Sequence, residues 1–327
     1  MPDMNVLVTG GTGFIGSHLI DFLLGRGGVE IFVLVRDPGR LRGLSGKPGP
    51  RILKGDLFSI PQLPSSLEVV FHLAGLTKAV KSNDYYTVNR NGTASLFQNL
   101  RDRGLRPRVV HLSSLAAVGP SSAARAVRED DPARPVSPYG ESKLQAEEAA
   151  LSFRNDLPVT VLRVAAVYGP GDEDFLEYFK CLKMGILPLL GPDKKYLSLC
   201  YVHDLVRAMD ISSRSEEAAG QIFNIADGTP YSWEDIGRSA AEAMGKRVLP
   251  VKVPLWAAYL AASGSEIVSK FTGKPSPINR SKYRDMKQSG WVADVRKAKE
   301  LLGFEAARPL NEAISETVQW YKRNHLL

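Results

Sequence analysis

Tyr139 and Lys143 are the two residues of this sequence whose types and spacing most clearly indicate chemistry. They stand four positions apart, so on a helix they lie on one face, one turn above the other. A phenol with an ordinary pKa of about 10 is a poor base at neutral pH, but a neighbouring ammonium lowers that pKa. Tyr139 is then able to exchange a proton with an alcohol or carbonyl oxygen. The alternative interpretation of the pair is a solvated helix face.

Ser114 adds a hydroxyl at the carboxyl end of a predicted strand. Open parallel sheets bind their ligands at that edge. We therefore expect Ser114 to hydrogen-bond the same substrate oxygen as Tyr139 and to orient it. Ser114, Tyr139 and Lys143 are the predicted catalytic residues.

A glycine-rich turn near the N-terminus predicts a binding site for a dinucleotide. An apolar run breaks into Gly11-x-Gly13-x-x-Gly16 and then continues with helical periodicity. Glycines let the backbone approach a pyrophosphate, and the first N–H groups of the helix point at it. An ordinary strand-to-helix turn is the alternative. The residues expected to bind the cofactor here are Gly10, Thr12, Gly13, Phe14, Ile15 and Gly16.

The residue after the second predicted strand bears on the choice between NAD and NADP. An acidic residue there accepts hydrogen bonds from the ribose hydroxyls of NAD, whereas an arginine meets the phosphate of NADP. Arg36 takes this place, and its planar guanidinium can bind phosphate while stacking on adenine. Asp37 is adjacent, so a shift of one residue would restore a preference for NAD. NADP is the expected cofactor, with NAD as the second choice.

The elements that must position these residues alternate between strand and helix, which predicts a parallel sheet covered on both faces. The fold class is α/β, a Rossmann-type doubly wound parallel sheet with a smaller, discontinuous C-terminal substrate lobe. We expect a dinucleotide-binding domain over residues 1–170, with a returning segment at about 200–226, and a substrate lobe over 171–199 and 227–327. The predicted strands are 5–9, 30–35, 51–54, 69–74, 108–113, 159–164 and 221–225, and the predicted helices are 15–25, 85–103, 139–154 and 203–213.

Composition narrows the class of protein. The 327 residues carry a net charge of +7, but the Lys and Arg residues read as scattered, which indicates an anionic cofactor rather than nucleic acid. Cys181 and Cys200 lack metal-ligand spacing and the five histidines do not cluster, so no metal is expected. The longest apolar run, residues 253–262, is too short to span a bilayer. The N-terminus leads directly into a strand, and a cytoplasmic protein is expected.

Several motifs together resemble the extended short-chain dehydrogenase/reductases, the epimerase/dehydratase-like group, over nearly the whole chain. They are the glycine turn, Gly55-Asp56-Leu57, His72-Leu73-Ala74-Gly75, residues 88–93, Ser113-Ser114, residues 139–143, Tyr168-Gly169-Pro170-Gly171 and residues 201–204. The resemblance implies that Lys143 also holds the nicotinamide ribose. It further implies cofactor-binding roles for Asp56, Leu57, Leu73, Ala74, Gly75 and Asn89.

Two of these residues have a structural alternative. Asp56 follows a strand and is placed to accept a hydrogen bond from the adenine amine, but a helix N-cap has the same sequence signature. Asn89 resembles a family position that supports the active site, and a purely structural amide is the alternative.

The substrate region departs from relatives that act on nucleotide sugars. Those relatives usually carry an asparagine where this chain has Ala166, and residues 196–200 lack their arginine. Other segments resemble the branch of 3-beta-hydroxysteroid dehydrogenases and dihydroflavonol reductases, which implies an apolar substrate. The main weakness of this argument is a set of basic residues that a loop can bring into the pocket: Lys194, Lys195, Arg280, Lys282 and Arg284. The residues expected to bind substrate are Thr77, Ser114, Ala166, Tyr168 and Trp256.

The leading prediction is an NADP-dependent oxidoreductase that interconverts a ketone and a secondary alcohol on a fairly apolar small molecule. A nucleotide-sugar epimerase or dehydratase with bound NAD is the first alternative. A non-catalytic dinucleotide-binding structural or sensor protein is the second, and the intact Ser114, Tyr139 and Lys143 argue against it. The resemblance also implies a homodimer, formed through the helices that carry residues 89–97 and 139–150.

Overall fold

The computed structural model describes residues 4–40, 49–122, 124–276 and 278–327. The strands in these ranges are β1 (Met4–Thr9), β2 (Val29–Val35), β3 (Arg51–Lys54), β4 (Leu67–His72), β5 (Arg108–Ser114), β6 (Val159–Val164), β7 (Ala166–Tyr168), β8 (Ile186–Leu190), β9 (Tyr196–Tyr201), β10 (Ile222–Ile225), β11 (Pro230–Ser232), β12 (Leu249–Val253) and β13 (Gly290–Trp291). The helices are α1 (Phe14–Arg26), α2 (Ser82–Tyr85), α3 (Gly92–Asp102), α4 (Pro138–Leu151), α5 (Asp174–Lys183), α6 (Val202–Arg214), α7 (Trp233–Met244), α8 (Leu255–Thr272), α9 (Arg280–Met286), α10 (Arg296–Leu302) and α11 (Leu310–Arg323).

The main sheet has seven parallel strands in the order β10-β6-β5-β4-β1-β2-β3. The chain builds outward from β1 through β2 and β3, then returns to place β4 on the other side of β1. The strand order therefore reverses between β1 and β4, the point where open α/β sheets bind ligands. The doubly wound parallel sheet predicted from the sequence is confirmed, and every predicted strand is part of it.

Successive side chains of the central strands point to opposite faces of the sheet and pack into two apolar layers, one on each side. Val6 and Val8 of β1 join a buried cluster with Leu19 of α1, whereas Leu7 joins the opposite cluster with Phe97 of α3. Because both faces are covered, the strands read as continuous apolar runs rather than as an alternating pattern. The sheet is thus a rigid platform whose carboxyl edge carries the predicted site.

Element boundaries differ from the predicted ones where side chains or turns leave the regular pattern. β4 ends at His72 rather than at residue 74, because the N–H groups of Leu73 and Ala74 turn toward Thr9. The long helix predicted over residues 85–103 begins at Ser82 and contains a π-helical segment, Tyr86–Asn91. π-helical turns are frequently found at functional sites.

The chain after β7 contains strands that the sequence did not predict. β7, β9, β11 and β13 form a second sheet, and β8 pairs with β12. Three of these strands, β7, β11 and β13, are only two or three residues long, too short for a periodic pattern to mark them. The division into two lobes stays a proposal. Within the described ranges, no helix has the length and the apolar character needed to cross a membrane.

Candidate active site

The start of α4 is shaped so that Tyr139 lies beside Ser114. Ser137 caps the helix by accepting a hydrogen bond from the N–H of Gly140 (3.1 Å), and Pro138 occupies the first turn. A Cβ atom on Gly140 would collide with the carbonyl oxygen of Ala116, in the 3-10 turn that follows β5. Only glycine therefore allows the helix to approach this turn so closely.

Ser114 is the last residue of β5, and its side chain remains available to a ligand oxygen. Its Oγ accepts a hydrogen bond from the N–H of Ala116 (3.2 Å), which leaves the hydroxyl proton free to be donated. Burial raises the pKa of Tyr139 to about 12, and hydrogen bonding with Ser114 works against that rise. The two hydroxyls are thus brought together as the sequence predicted.

Lys143 lies one helical turn after Tyr139, is buried, and is hydrogen-bonded to the sheet. Its Nζ donates a hydrogen bond to the carbonyl oxygen of Leu112 in β5 (2.6 Å). Burial lowers the pKa of Lys143 to about 8, and the carboxylate of Glu147 raises it in opposition.

The expectation that Lys143 lowers the pKa of Tyr139 is wrong for this arrangement. Burial of the phenol outweighs the other influences on its pKa, and the pKa rises instead. The ammonium of Lys143 is engaged by a backbone carbonyl rather than by the phenol. The buried phenol of Tyr139 therefore holds its proton more tightly than a free tyrosine does.

A buried ion pair fixes α4 to the sheet next to Lys143. The guanidinium of Arg163 in β6 binds the carboxylate of Glu147 through Nε (3.1 Å) and Nη2 (2.8 Å), and both side chains are buried. Ser113 donates a hydrogen bond to the same carboxylate, and Arg163 also reaches the carbonyl of Glu129 (3.1 Å). Glu147 stands four residues after Lys143, a spacing that places both on one face of α4.

A chain of hydrogen bonds joins the glycine turn to the π-helical segment. The hydroxyl of Thr93 donates to the carbonyl of Asn89 (2.5 Å), so its oxygen accepts from Nε2 of His72 (2.9 Å). The hydroxyl of Thr9, which accepts from the N–H of Ala74 (3.2 Å), then donates to Nδ1 of His72 (2.8 Å). This order assigns the neutral imidazole with its proton on Nε2. Burial lowers the pKa of His72 to about 3, so the ring stays neutral.

Asn89 uses its side-chain amide to hold the loop after β4 against α4. Its Oδ1 accepts from the N–H of Leu76 (2.7 Å), and its Nδ2 donates to the carbonyl of Leu76 (3.1 Å) and to Oγ of Ser142 (2.9 Å). A Cβ atom on Gly75 would lie 3.0 Å from this amide oxygen and 3.9 Å from Nζ of Lys143. Gly75 therefore keeps the end of β4 close to the predicted catalytic helix, and Asn89 holds both in register.

The glycine turn fits the pyrophosphate of a dinucleotide. Gly10 has a φ of +75°, and a Cβ atom there would lie 2.7 Å from the N of Ala74, while one on Gly16 would collide with the carbonyl of Gly10. α1 begins at Phe14, and its N-cap Gly13 is extended and has no side chain to cap the helix, so the first N–H groups are left for an anion. Thr12 and Gly13 are exposed at this turn, and Ile15 is half-buried.

The adenine end of the predicted cofactor site carries Arg36 and Asp56. β2 ends at Val35, so Arg36 is the first residue after the strand, and it is exposed. The carboxylate of Asp37 accepts a hydrogen bond from the N–H of Gly39 (3.1 Å). Asp56 accepts from two backbone N–H groups, those of Phe58 and Ser59 (both 2.8 Å), so it caps a turn rather than a helix. Leu57 is buried and lies against Gly92.

Comparison with models of known protein families shows which family the chain belongs to. The model of the NAD dependent epimerase/dehydratase family matches residues 6–226. The chain belongs to this family. The matched span contains the glycine turn and Ser114, Tyr139 and Lys143. The resemblance to extended short-chain dehydrogenase/reductases is thereby confirmed.

Relatives in this family differ in what their names say they act on. The chain is 27% identical to a ceramide reductase of Caulobacter vibrioides, with 97% of this chain and 94% of the relative covered. It is 26% identical to a UDP-glucose 4-epimerase of Vibrio cholerae, with 96% and 94% covered. Among solved structures, MoeE5 in complex with UDP-glucose and NAD is 28% identical with a TM-score of 0.77, and 98% of this chain and 99% of that chain are covered.

The predicted substrate residues of this family member fall into different environments. The carbonyl of Thr77 accepts a hydrogen bond from the hydroxyl of Tyr85 (3.5 Å), whose ring packs 5.9 Å from that of Tyr139, centroid to centroid. Ala166 opens β7, where it pairs with Leu199 of β9. Tyr168 is a core residue, 3% exposed. Trp256 lies on an exposed face of α8.

Charged residues from the C-terminal part of the chain approach the site without any motif that marks them. Asp285 of α9 interacts with Ser137, and burial raises the pKa of its carboxyl to about 6. Asp174 pairs with Lys78 (2.5 Å) and Lys282 (3.8 Å). Sequence reasoning missed Asp285 and Asp174 because residues distant in the chain have no fixed spacing from the catalytic helix.

Five basic residues could contact a substrate phosphate if a loop brought them into the pocket. In the structure each of them has a partner or lies at the surface. They are Lys194, Lys195, Arg280, Lys282 and Arg284. Nζ of Lys195 donates to the carbonyls of Lys287 (2.7 Å) and Gln288 (2.9 Å), and Arg280 pairs with Glu266 (3.7 Å). Of these basic residues, Lys282 is the one that pairs with Asp174 (3.8 Å).

Proposed function

We propose that the chain is an NADP-dependent oxidoreductase that interconverts a ketone and a secondary alcohol on a fairly apolar small molecule. The observation that carries the proposal is the placement of the buried, protonated phenol of Tyr139 beside the hydroxyl of Ser114 at the carboxyl edge of the sheet. The name of one relative, ceramide reductase, supports a reduction. Ala166 at the start of β7, in place of a polar anchor, supports an apolar substrate.

The proposed roles follow from the geometry of the side chains. When bound, the nicotinamide cofactor supplies a hydride to the carbonyl carbon or accepts one from the alcohol. Tyr139 donates its proton to the substrate oxygen during reduction and takes it back during oxidation. Ser114 hydrogen-bonds that oxygen, and Lys143 holds the ribose on the sheet side.

The residues for the cofactor are those of the glycine turn, with Arg36 binding the ribose phosphate. The structural relative MoeE5 was solved with NAD, so NAD is the competing cofactor. The position of Arg36 directly after β2 favours NADP over NAD. The carboxylate of the neighbouring Asp37 accepts a hydrogen bond from the N–H of Gly39 instead.

Arg36→Asp is expected to weaken NADPH binding about ten- to a hundredfold and to favour NADH, because a hydrogen bond to a charged group contributes roughly 1.5 to 3 kcal/mol. Titration calorimetry with both cofactors measures the change. Arg323→Asp, at the exposed end of α11, alters the net charge equally and serves as the control. A wild-type protein that binds NADH more tightly than NADPH would overturn the assignment.

A nucleotide-sugar epimerase or dehydratase is the second candidate function. Lys78 and Lys282 both approach Asp174 near the site, and a diphosphate would compete with that carboxylate for them. The relatives that carry UDP-sugar names agree with this alternative.

Hydrophobic ketones are expected to bind the NADP-loaded protein more tightly than UDP-sugars. A diphosphate loses its hydration on entering, whereas burial of apolar surface contributes about 25 cal/mol per Å² before ordering costs. Calorimetry against UDP-glucose, UDP-galactose and a set of steroid-like and flavonoid-like ketones compares the two classes, and NADPH consumption identifies a substrate. Micromolar binding of a UDP-sugar with no response to any ketone would make the epimerase the better proposal.

A further inference from the structure

The helix α8 presents an apolar face to solvent over its whole length. Of its 18 residues only Ala262 and Ser269 are buried. Five of its large apolar side chains are 54% to 87% exposed, and these are Trp256, Leu260, Ile267, Val268 and Phe271. Soluble monomers rarely expose contiguous apolar patches of this kind, and such patches mark binding surfaces.

The exposed residues form one stripe rather than a scatter. At 100° per residue, Trp256, Leu260, Ile267 and Phe271 point within about 60° of one another, and Val268 widens the stripe to about 120°. Glu266 is the one acidic residue of α8, and it lies off the stripe, paired with Lys270 (3.8 Å). The stripe is therefore free of charge.

The positive charge of the chain is concentrated around this helix. Residues 246–287 contain nine Lys or Arg and two Asp or Glu, a net charge of +7 that equals that of the whole chain. The other 33 Lys and Arg residues are spread over the rest of the chain, where 33 Asp and Glu residues balance them. Lys252 precedes α8, and Lys270 and Lys274 lie at its other end, so cations flank the stripe at both ends.

We propose that the apolar face of α8 docks on the surface of an anionic lipid bilayer. Interfacial helices carry Trp, Phe and Leu on the buried face and Lys or Arg beside it, as α8 and its flanks do. Anionic headgroups attract such a basic segment. A second copy of this chain is the competing occupant, but a contact between two α8 helices would bring two segments of net charge +7 together.

Docking would also place the site at the membrane. α9 packs against α8, and its Asp285 interacts with Ser137, the residue that caps the helix of Tyr139. If the substrate is apolar, which rests on the proposed function, it would reach the site from the bilayer rather than from water. The docking itself does not depend on the reaction.

Co-sedimentation with vesicles tests the proposal without any substrate. The probes are phosphatidylcholine vesicles with and without phosphatidylserine, at low and high salt. Wild-type protein is expected to sediment with the anionic vesicles at low salt and to be released by salt. The variant Trp256→Ser/Phe271→Ser is expected to lower the bound fraction at least tenfold, and because both side chains are exposed the fold should persist.

A matched variant separates the stripe from general apolar exposure. Leu301→Ser/Leu326→Ser removes two exposed apolar side chains from elsewhere on the chain, and it should bind vesicles like the wild type. The proposal is overturned if wild-type protein ignores anionic vesicles, binds neutral vesicles equally well, or retains binding in the α8 variant. Self-association that the α8 variant abolishes, without vesicle binding, would identify a second copy as the occupant instead.

Discussion

Replacing Tyr139 with phenylalanine is expected to lower turnover by about 100-fold to 10,000-fold, the usual cost of losing a positioned general acid or base. The substitution removes one oxygen atom and keeps the ring, which packs edge-on against Tyr85 with 5.9 Å between centroids. Stability and cofactor affinity should therefore change little. Steady-state turnover with any accepted substrate measures the loss, and calorimetry with NADPH measures the affinity.

Tyr86→Phe is the matched control. Tyr86 lies near the same helix, but its hydroxyl donates a hydrogen bond to the surface carboxylate of Glu141 (2.8 Å) rather than to the site. This variant should keep near-normal turnover. Near-normal turnover in the Tyr139 variant as well would refute the proposed mechanism.

Glu147→Gln is expected to lower the free energy of unfolding by about 3–5 kcal/mol, because it leaves the buried guanidinium of Arg163 without a counter-charge. The effect should appear in urea unfolding as a lower midpoint with an unchanged slope. Glu148→Gln is the control. It removes the same charge from an exposed position on α4 and should leave the free energy of unfolding nearly unchanged.

The same substitution has a second expected signature at Lys143. The carboxylate of Glu147 raises the pKa of Lys143 against the effect of burial, so its removal should lower that pKa further. The ammonium would then lose its proton at a lower pH, and a pH profile of NADPH binding should shift toward acid. A variant with wild-type stability would show that the ion pair is replaceable, contrary to the prediction.

The parts of the fold and site that sequence predicts are those that local patterns determine. Apart from the exposed edge strand β3, the strands of the sheet are largely buried runs bounded by turns, and the topology rule for parallel strands brings their carboxyl ends to one edge. Ser114 ends β5 and Tyr139 opens α4, so one edge and one helix turn bring the two hydroxyls together.

The parts that sequence missed depend on packing between distant segments. Asp285 reaches the capping residue Ser137 from almost the other end of the chain, and no spacing rule connects them. The pKa of Tyr139 is set by burial, which sequence does not reveal. The net charge of +7 in residues 246–287 is, by contrast, a property of the sequence alone.

The π-helical segment Tyr86–Asn91 keeps the two parts of this helix in phase although it contains one extra residue. Gly92 bonds back to the carbonyl of Thr87, five residues earlier, so the wider turn holds one residue more than an α-helical turn would. Deleting one residue of the segment would restore an α-helical turn and leave Tyr85 and Gly92 at nearly the same relative angle. The deletion would instead change which side chains the segment presents, among them Asn89 with its bonds to Leu76 and Ser142. The site thus depends on the local widening of one turn, and a one-residue deletion there is expected to disturb Asn89 without displacing Tyr85 from Tyr139.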